Sequence, residues 1–305
     1  MFPNSPDLAV IIVSFNTRPL LEACLRSLEG ARVRLEVFVV DNGSTDGSVD
    51  LVRTRFPHVR LILPGRNIGF AAANNLALRQ ATARHVLLLN PDAAVEPGTL
   101  EAVVEFLDRH PDVGALGGQL RYGDGSFQHS VFRFPTLPMV FLDFFPLNHR
   151  LLNSRLNGRY PRRWYGRPFD VDHPLGAFMA VRRAVLRDVG LLDPSYFMYC
   201  EEIDWAYRIR RAGWRICYLP EARAVHHAGQ STSRLHRQMF VELHRSRYLL
   251  YRRYRSIVFC QAARAIVRAC CLATIGRDAL LVLAGRLDPA VARSRREALW
   301  AAAAL

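Results

Sequence analysis

Leu35-Glu-Val-Phe-Val-Val-Asp41-Asn-Gly-Ser-Thr-Asp46 is the stretch that decides the fold. Its apolar, β-branched run over 35–40 is closed by a carboxylate, a glycine turn and capping residues. That is how a buried strand hands over to a helix, here one starting after Asp46. Working outward, runs of the same kind predict strands over 8–14, 59–63, 85–89 and 113–118. Helical patterns fall between them, over 19–28 with Pro19 suited to a first turn, over 70–81 and over 98–109. Strands alternating with helices predict βαβ units and an α/β fold, a mixed, mostly parallel sheet flanked by helices. In such a sheet ligands bind beyond the carboxyl ends of the strands, so chemistry is expected just after each run.

The chain has 305 residues, half of them hydrophobic, which allows one large domain with an appendage and excludes a disordered chain. Its formal charge is +14, and every one of its 41 Lys or Arg positions is arginine. Without lysine it can be neither a phosphate-loop NTPase nor a Schiff-base enzyme; a compositional bias of the genome is the simpler explanation of the arginines. The six cysteines show no disulfide framework and no zinc-ligand spacing, and read as reduced, buried thiols. No signal-peptide pattern opens the chain and no uncharged apolar run reaches about 18 residues, so a cytoplasmic protein is expected.

Past the fifth strand, 123–174 is an aromatic, proline-rich insertion, either a loop packed on the core or a lip that binds an acceptor. A helix over 202–212 and a strand over 215–219 follow. From 234 onward the chain reads as helical and basic, with 14 arginines over 234–296 against Glu242, Asp278 and Asp288. Arginine among Tyr, Leu, Val and Ile at helical spacing suits an anionic membrane surface; a solvated face or nucleic-acid binding are the alternatives.

Several residues at strand ends carry candidate chemistry. Asp41 can accept a hydrogen bond from a pyrimidine ring NH. Arg66-Asn67-Ile-Gly69-Phe70 opens a helix whose amides and guanidinium suit a phosphate. Asn90-Pro-Asp92 sets a carboxylate on a stiff turn where it can hold a hard divalent cation or serve as a plain cap. In Phe197-Met-Tyr-Cys-Glu-Glu-Ile-Asp-Trp205, helical spacing puts Glu201, Asp204, Arg208 and Arg211 on one solvent stripe. Glu202 falls instead with Trp205, Ile209 and Ala212, and is expected to be desolvated with a raised pKa, as a general base should be. His226 and His227 close the next strand, where a metal or phosphate role competes with a structural one.

Taken in order, these pieces resemble glycosyltransferase family 2, in particular its rhamnosyltransferase-like branch. The motifs are Val10-Ile-Ile-Val-Ser-Phe-Asn16, Asp41 to Ser48, Asn67-Ile-Gly-Phe-Ala71, Leu89-Asn-Pro-Asp92, Gly176-Ala-Phe-Met179, Phe197 to Trp205 and His226-x-x-Gly-x-Ser231. The likeness spans about 7–255. It implies a GT-A fold over 1–233, with a donor half over 7–122 and an acceptor half over 123–233, followed by a basic helical extension over 234–305. It implies Asp41 on the base of a nucleotide-diphospho-sugar, dTDP-rhamnose or a UDP-sugar, with Ser14, Asn16, Arg66, Asn67, Gly69, Phe70, Asn74 and Asn90 as further donor contacts. It implies Asp92 and His226 on Mn2+ or Mg2+, and Gly176, Ala177 and Trp205 beside a saccharide or lipid-linked acceptor. The second acid of the Glu201-Glu202 pair is implied as the base of an inverting transfer. Two positions depart from the family pattern: Asn90 stands where many relatives have aspartate, and Glu202 where an aspartate is usual. The second departure leaves Glu201 and Asp204 as alternative bases. A sugar nucleotidyltransferase, which would be expected to use lysine, and a non-catalytic assembly scaffold are the rival readings; no nucleic-acid partner is expected.

Overall fold

The computed structural model describes residues 5–144, 149–227 and 236–305. In chain order the first part runs β1 (Leu8–Ser14), α1 (Arg18–Ser27), β2 (Leu35–Asp41), α2 (Ser48–Arg55), β3 (Arg60–Ile62), α3 (Phe70–Leu78), β4 (His85–Leu89), β5 (Ala93–Val95), α4 (Thr99–Arg109), β6 (Val113–Arg121), β7 (Phe127–Gln128) and β8 (Val131–Phe132). There follow α5 (Leu137–Leu142), α6 (His149–Leu152), β9 (Phe169–Asp170), β10 (His173–Pro174), β11 (Phe178–Arg182), α7 (Arg183–Val189), α8 (Glu201–Arg211) and β12 (Arg215–His226). Three helices close the chain: α9 (His236–Tyr254), α10 (Ile257–Leu283) and α11 (Pro289–Ala303).

The five strands predicted from sequence all form. With β5, β11 and β12 they build the sheet β3-β2-β1-β4-β11-β6-β12-β5, in which β1, β2, β3 and β4 run parallel. Every residue of β1 is buried, as a parallel strand covered on both faces must be. Leu8, Val10 and Ile12 pack with Leu21 and Leu25 of α1 and Val103 and Leu107 of α4 in the main core. Each such side chain contributes about 1.5–3 kcal/mol by leaving water. Strand order reverses between β1 and β4, and there the turns after β1, β2 and β4 open onto one edge.

Among the elements that depart from the sequence reading, two shape the sheet around the site. β11 lies antiparallel between β4 and β6, where no strand is expected. β12 does not stop at Leu219: its pairing with β6 breaks between Leu219 and Arg223 and resumes through Val225. The bulge holds Pro220, which cannot donate to a ladder, and brings the carbonyl of Ala222 to 2.3 Å from where a Cβ on Gly118 would lie. Only glycine fits there, and the resumed strand carries His226 to the carboxyl edge.

The contacts divide the chain into two units. One comprises 1–133, 160–197 and 201–231 and contains the sheet; the other comprises 134–159, 198–200 and 232–305. In the second, α5 and the three C-terminal helices pack together, and Arg247 pairs with Asp143 at 2.6 Å. The insertion is therefore partly helical, and 134–159 belongs with the basic tail. None of the six cysteines is in a disulfide, and all are buried.

Candidate active site

The turns after β1 and β2 lock each other. Asn16, held at φ 53°, accepts from the Thr45 amide at 2.8 Å and donates its own amide to Ser44 Oγ at 2.9 Å. Asp46 Oδ2 accepts from the first amide of α1, that of Arg18, at 2.8 Å. Ser14 Oγ lies 3.0 Å from Thr17 Oγ1. The side chains of Ser14 and Asn16, expected to face a donor, are thus engaged in holding the loops. Asp41 is buried; Oδ1 accepts from the Gly43 and Ser44 amides, and Oδ2 has no partner among the described residues. A buried carboxylate oxygen left open at a strand end is poised for a donor group from outside the protein.

Asn42, which the sequence reading quoted but gave no role, ties this turn to the next. Its Nδ2 donates to Asn67 Oδ1 and the Gly69 carbonyl, and its Oδ1 accepts from the Ile68 amide. Gly69, at φ 85°, has no room for a side chain: a Cβ would sit 2.5 Å from the Phe197 carbonyl. That carbonyl accepts from the Phe70 amide at 2.7 Å. The first amide of α3 is thus engaged by the chain itself, and Arg66 is exposed beside it. Within α3, Asn74 donates to the Phe70 carbonyl while its buried Oδ1 is unpartnered.

At the end of β4, the Asn90 amide donates to the Ala177 carbonyl, so Gly176 and Ala177 abut the Asn90-Pro-Asp92 turn. Asp92 is buried, and its Oδ1 lies 3.3 Å from His226 Nε2 without an aligned donor. His226 Nδ1 faces Gln128 Oε1 at 3.2 Å. In the tautomer whose Nδ1–H donates to that oxygen, Nε2 and Asp92 Oδ1 together can face a shared cation. One carboxylate and one imidazole fit a divalent ion that takes its other ligands from substrate and water; among the described residues no third His, Cys, Asp or Glu completes a cluster. Gln128 sits in the irregular insertion, where no sequence signal marks it. Gly229 and Ser231 of the His226 motif lie outside the described residues.

The acidic helix departs most from expectation. Tyr199 and Cys200, just before α8, both have φ 69°, a strain of about 1–3 kcal/mol each. Glu201 and Asp204 do not face solvent; both are buried, Asp204 completely. Asp204 accepts from Arg208 Nε at 2.8 Å and lies 3.5 Å from the Tyr196 hydroxyl, so it anchors the helix and is poorly placed to act as a base. Trp205, expected beside an acceptor, is fully buried in the core with Nε1 donating to the Gly190 carbonyl. Glu202 is buried, with Oε2 unpartnered, and Gly176 lies against its side chain. Desolvation pushes its carboxyl up to about 7. Burial and the neighbouring Glu202 raise Glu201 well above the usual range as well.

The sequence pattern described as glycosyl transferase family 2 matches residues 9–190, from β1 to the end of α7. The chain belongs to glycosyl transferase family 2. This family 2 glycosyltransferase is 34% identical over 259 residues to the N-acetylglucosaminyl-diphospho-decaprenol L-rhamnosyltransferase of Mycobacterium tuberculosis, covering 79% of this chain and 83% of that one. It is 27% identical over 229 residues to rhamnosyltransferase WbbL of Escherichia coli, covering 72% and 83%. In three dimensions it is similar to mannosyltransferase PcManGT of Pyrobaculum calidifontis, solved with GDP-Man and Mn2+. There the TM-score is 0.57 at 22% identity, over 99% of this chain and 87% of that one. The glycosyltransferase therefore has the GT-A fold.

Proposed function

We propose that this enzyme moves a sugar, rhamnose before others, from a nucleotide diphosphate donor to a hydroxyl of a lipid-linked saccharide in cell-envelope polysaccharide synthesis, with inversion. The observation that carries the reading is Glu202: a buried carboxylate with a free oxygen and a pKa pushed up to about 7, set against Gly176 beside the Asp92 turn. A base of that strength suits proton removal from a hydroxyl near neutral pH. Glu202 takes the acceptor proton as the hydroxyl oxygen bonds to the anomeric carbon. On the opposite face the bond from that carbon to the diphosphate oxygen breaks, and the diphosphate leaves with the electron pair. No covalent intermediate forms. Asp92 and His226 would hold Mn2+ or Mg2+, which supplies positive charge to the departing diphosphate. Asp41 Oδ2 accepts from the donor base, and Asn42, Asn67 and Gly69 fix the loop that flanks it.

The names of the mycobacterial and Escherichia coli relatives support rhamnose, and the former supports a lipid-linked acceptor. In this reading the acceptor is met at the cytoplasmic surface of the membrane; among the described residues no helix is long and apolar enough to cross one. We assign donor binding to 7–122, acceptor binding to 123–233 and surface contact to 234–305. The test is a donor panel of dTDP-rhamnose, UDP-glucose, UDP-galactose, UDP-N-acetylglucosamine and GDP-mannose, scoring released nucleoside diphosphate with Mn2+, Mg2+ or EDTA. Release from one donor that EDTA abolishes is expected. Silence across the panel, with no donor binding by calorimetry, would leave a non-catalytic scaffold.

A further inference from the structure

α10 is 27 residues long, about 40 Å at 1.5 Å per residue, and one side of it, with Cys260, Ala263, Val267, Cys270 and Cys271 buried, is covered by α5, α9 and α11. The opposite side is open and apolar. Val258, Ala265, Ala269, Leu272, Leu280 and Leu283 recur at helical spacing and all are exposed, Val258 to 69%, Leu272 to 50%, Leu280 to 68% and Leu283 to 84%. A continuous apolar face of this length is not the scattered surface leucine of ordinary soluble proteins. At its C-terminal end it runs into a groove of about 400 Å3, lined by Ala279, Val282 and Leu283, by Arg293 and Arg296 of α11, and by Asp278, whose charge is met by Arg277 and Arg295.

We propose that this face of α10, with the Arg293 and Arg296 groove, seats the protein on an anionic phospholipid surface. The helix lies in the headgroup plane with its leucines among the acyl chains and the arginines on lipid phosphates. Charge selects this occupant over a second copy of the chain. The cations of α10 are Arg264, Arg268 and Arg277, and its one acid, Asp278, is buried and paired with Arg277 and Arg295. Two such faces laid together would oppose arginine to arginine, with no exposed acid on α10 and Glu297 of α11 already paired with Arg237, whereas lipid phosphate supplies the missing charge. Crossing the bilayer is excluded for the same helix, since no described helix is apolar enough. An apolar side with an arginine border and no spanning length is the pattern of an interfacial helix.

The proposal extends the lipid-linked acceptor reading and rests on it only for its purpose, because vesicle binding is measured without donor or acceptor. Full-length protein is floated with vesicles of phosphatidylcholine alone and of phosphatidylcholine with phosphatidylglycerol, at low and high salt. Wild type should bind the anionic vesicles, weaken as salt rises, and ignore the neutral ones. The double variant Leu272→Asp, Leu280→Asp should bind at least about tenfold more weakly, with unchanged helix content by circular dichroism and unchanged donor hydrolysis. Arg293→Gln with Arg296→Gln should lower the salt dependence while leaving the helices intact. Equal binding by the aspartate variant, or no binding by wild type, overturns the proposal. So does a wild-type dimer in sedimentation equilibrium that the aspartate variant converts to monomer, which would give the face to a second copy.

Discussion

Two glutamates side by side in a buried first turn do not both ionise easily. Glu201 is raised by burial and by Glu202, and Glu202 by burial, which takes it to about 7. If Glu202 acts as the base it must be ionised, so kcat/KM should climb with pH and level off above a midpoint near 7. A pH–rate profile checks this, and a flat profile from pH 5 to 8 would contradict it. The same shift links to stability. A carboxyl raised from 4.5 to about 7 on folding contributes stability that is full below 4.5 and lost as pH rises through 7. Glu202→Gln should therefore gain in melting temperature over wild type between pH 5 and pH 8. If His226 holds the metal, Gln128 behind it sets its orientation, and Gln128→Leu should weaken Mn2+ binding about 10- to 100-fold, read by calorimetry in the presence of nucleoside diphosphate. At this scale the sequence was informative where one face of a helix decides the environment, as for Glu202 among Trp205 and Ile209. It misled for Glu201 and Asp204, because the first turn of α8 is buried on both sides and no periodicity encodes that.

Elements meet through backbone contacts that tolerate little change. α3 begins where Gly69 touches the Phe197 carbonyl, and Asn75 exchanges two hydrogen bonds with the backbone of Leu192, at 2.8 and 3.1 Å. Gly69→Ala must move one of these segments and abandon a φ that alanine avoids, so a loss of about 2 kcal/mol or more in urea unfolding is expected. Asn75→Leu strips two partners from buried backbone groups and should cost a similar amount, about 1–3 kcal/mol. Strands bounded by turns, such as β1, β2 and β4, were legible because apolar runs and Gly or Asp stops are local. β11 was not, since its place between β4 and β6 depends on long-range pairing of a five-residue run. The run over 215–219 and the strand end at His226 were both legible, but their union into one β12 was not, because the irregularity at Pro220 interrupts the pattern between them. The 123–174 insertion gave no periodic signal because its strands are two residues long and its ordering comes from ring contacts, among them Phe127 against Tyr165 at 4.8 Å.

Over the whole molecule, charge and chemistry are separated along the chain. The acids that matter stand at strand and helix ends in the sheet unit, while 14 of the 41 basic residues fall over 234–296. The family was readable before the fold because its motifs mark turns, and turns are where this sheet keeps its chemistry. The central claim is that Glu202 is the base of the transfer. Its most direct test is turnover of the responding donor and acceptor by wild type, Glu202→Gln and Glu201→Gln, at pH 8 with saturating Mn2+. The account predicts a fall of about a hundredfold or more in kcat for Glu202→Gln, with donor KM nearly unchanged, and a much smaller loss for Glu201→Gln. Full activity in Glu202→Gln, or a collapse confined to Glu201→Gln, would contradict it.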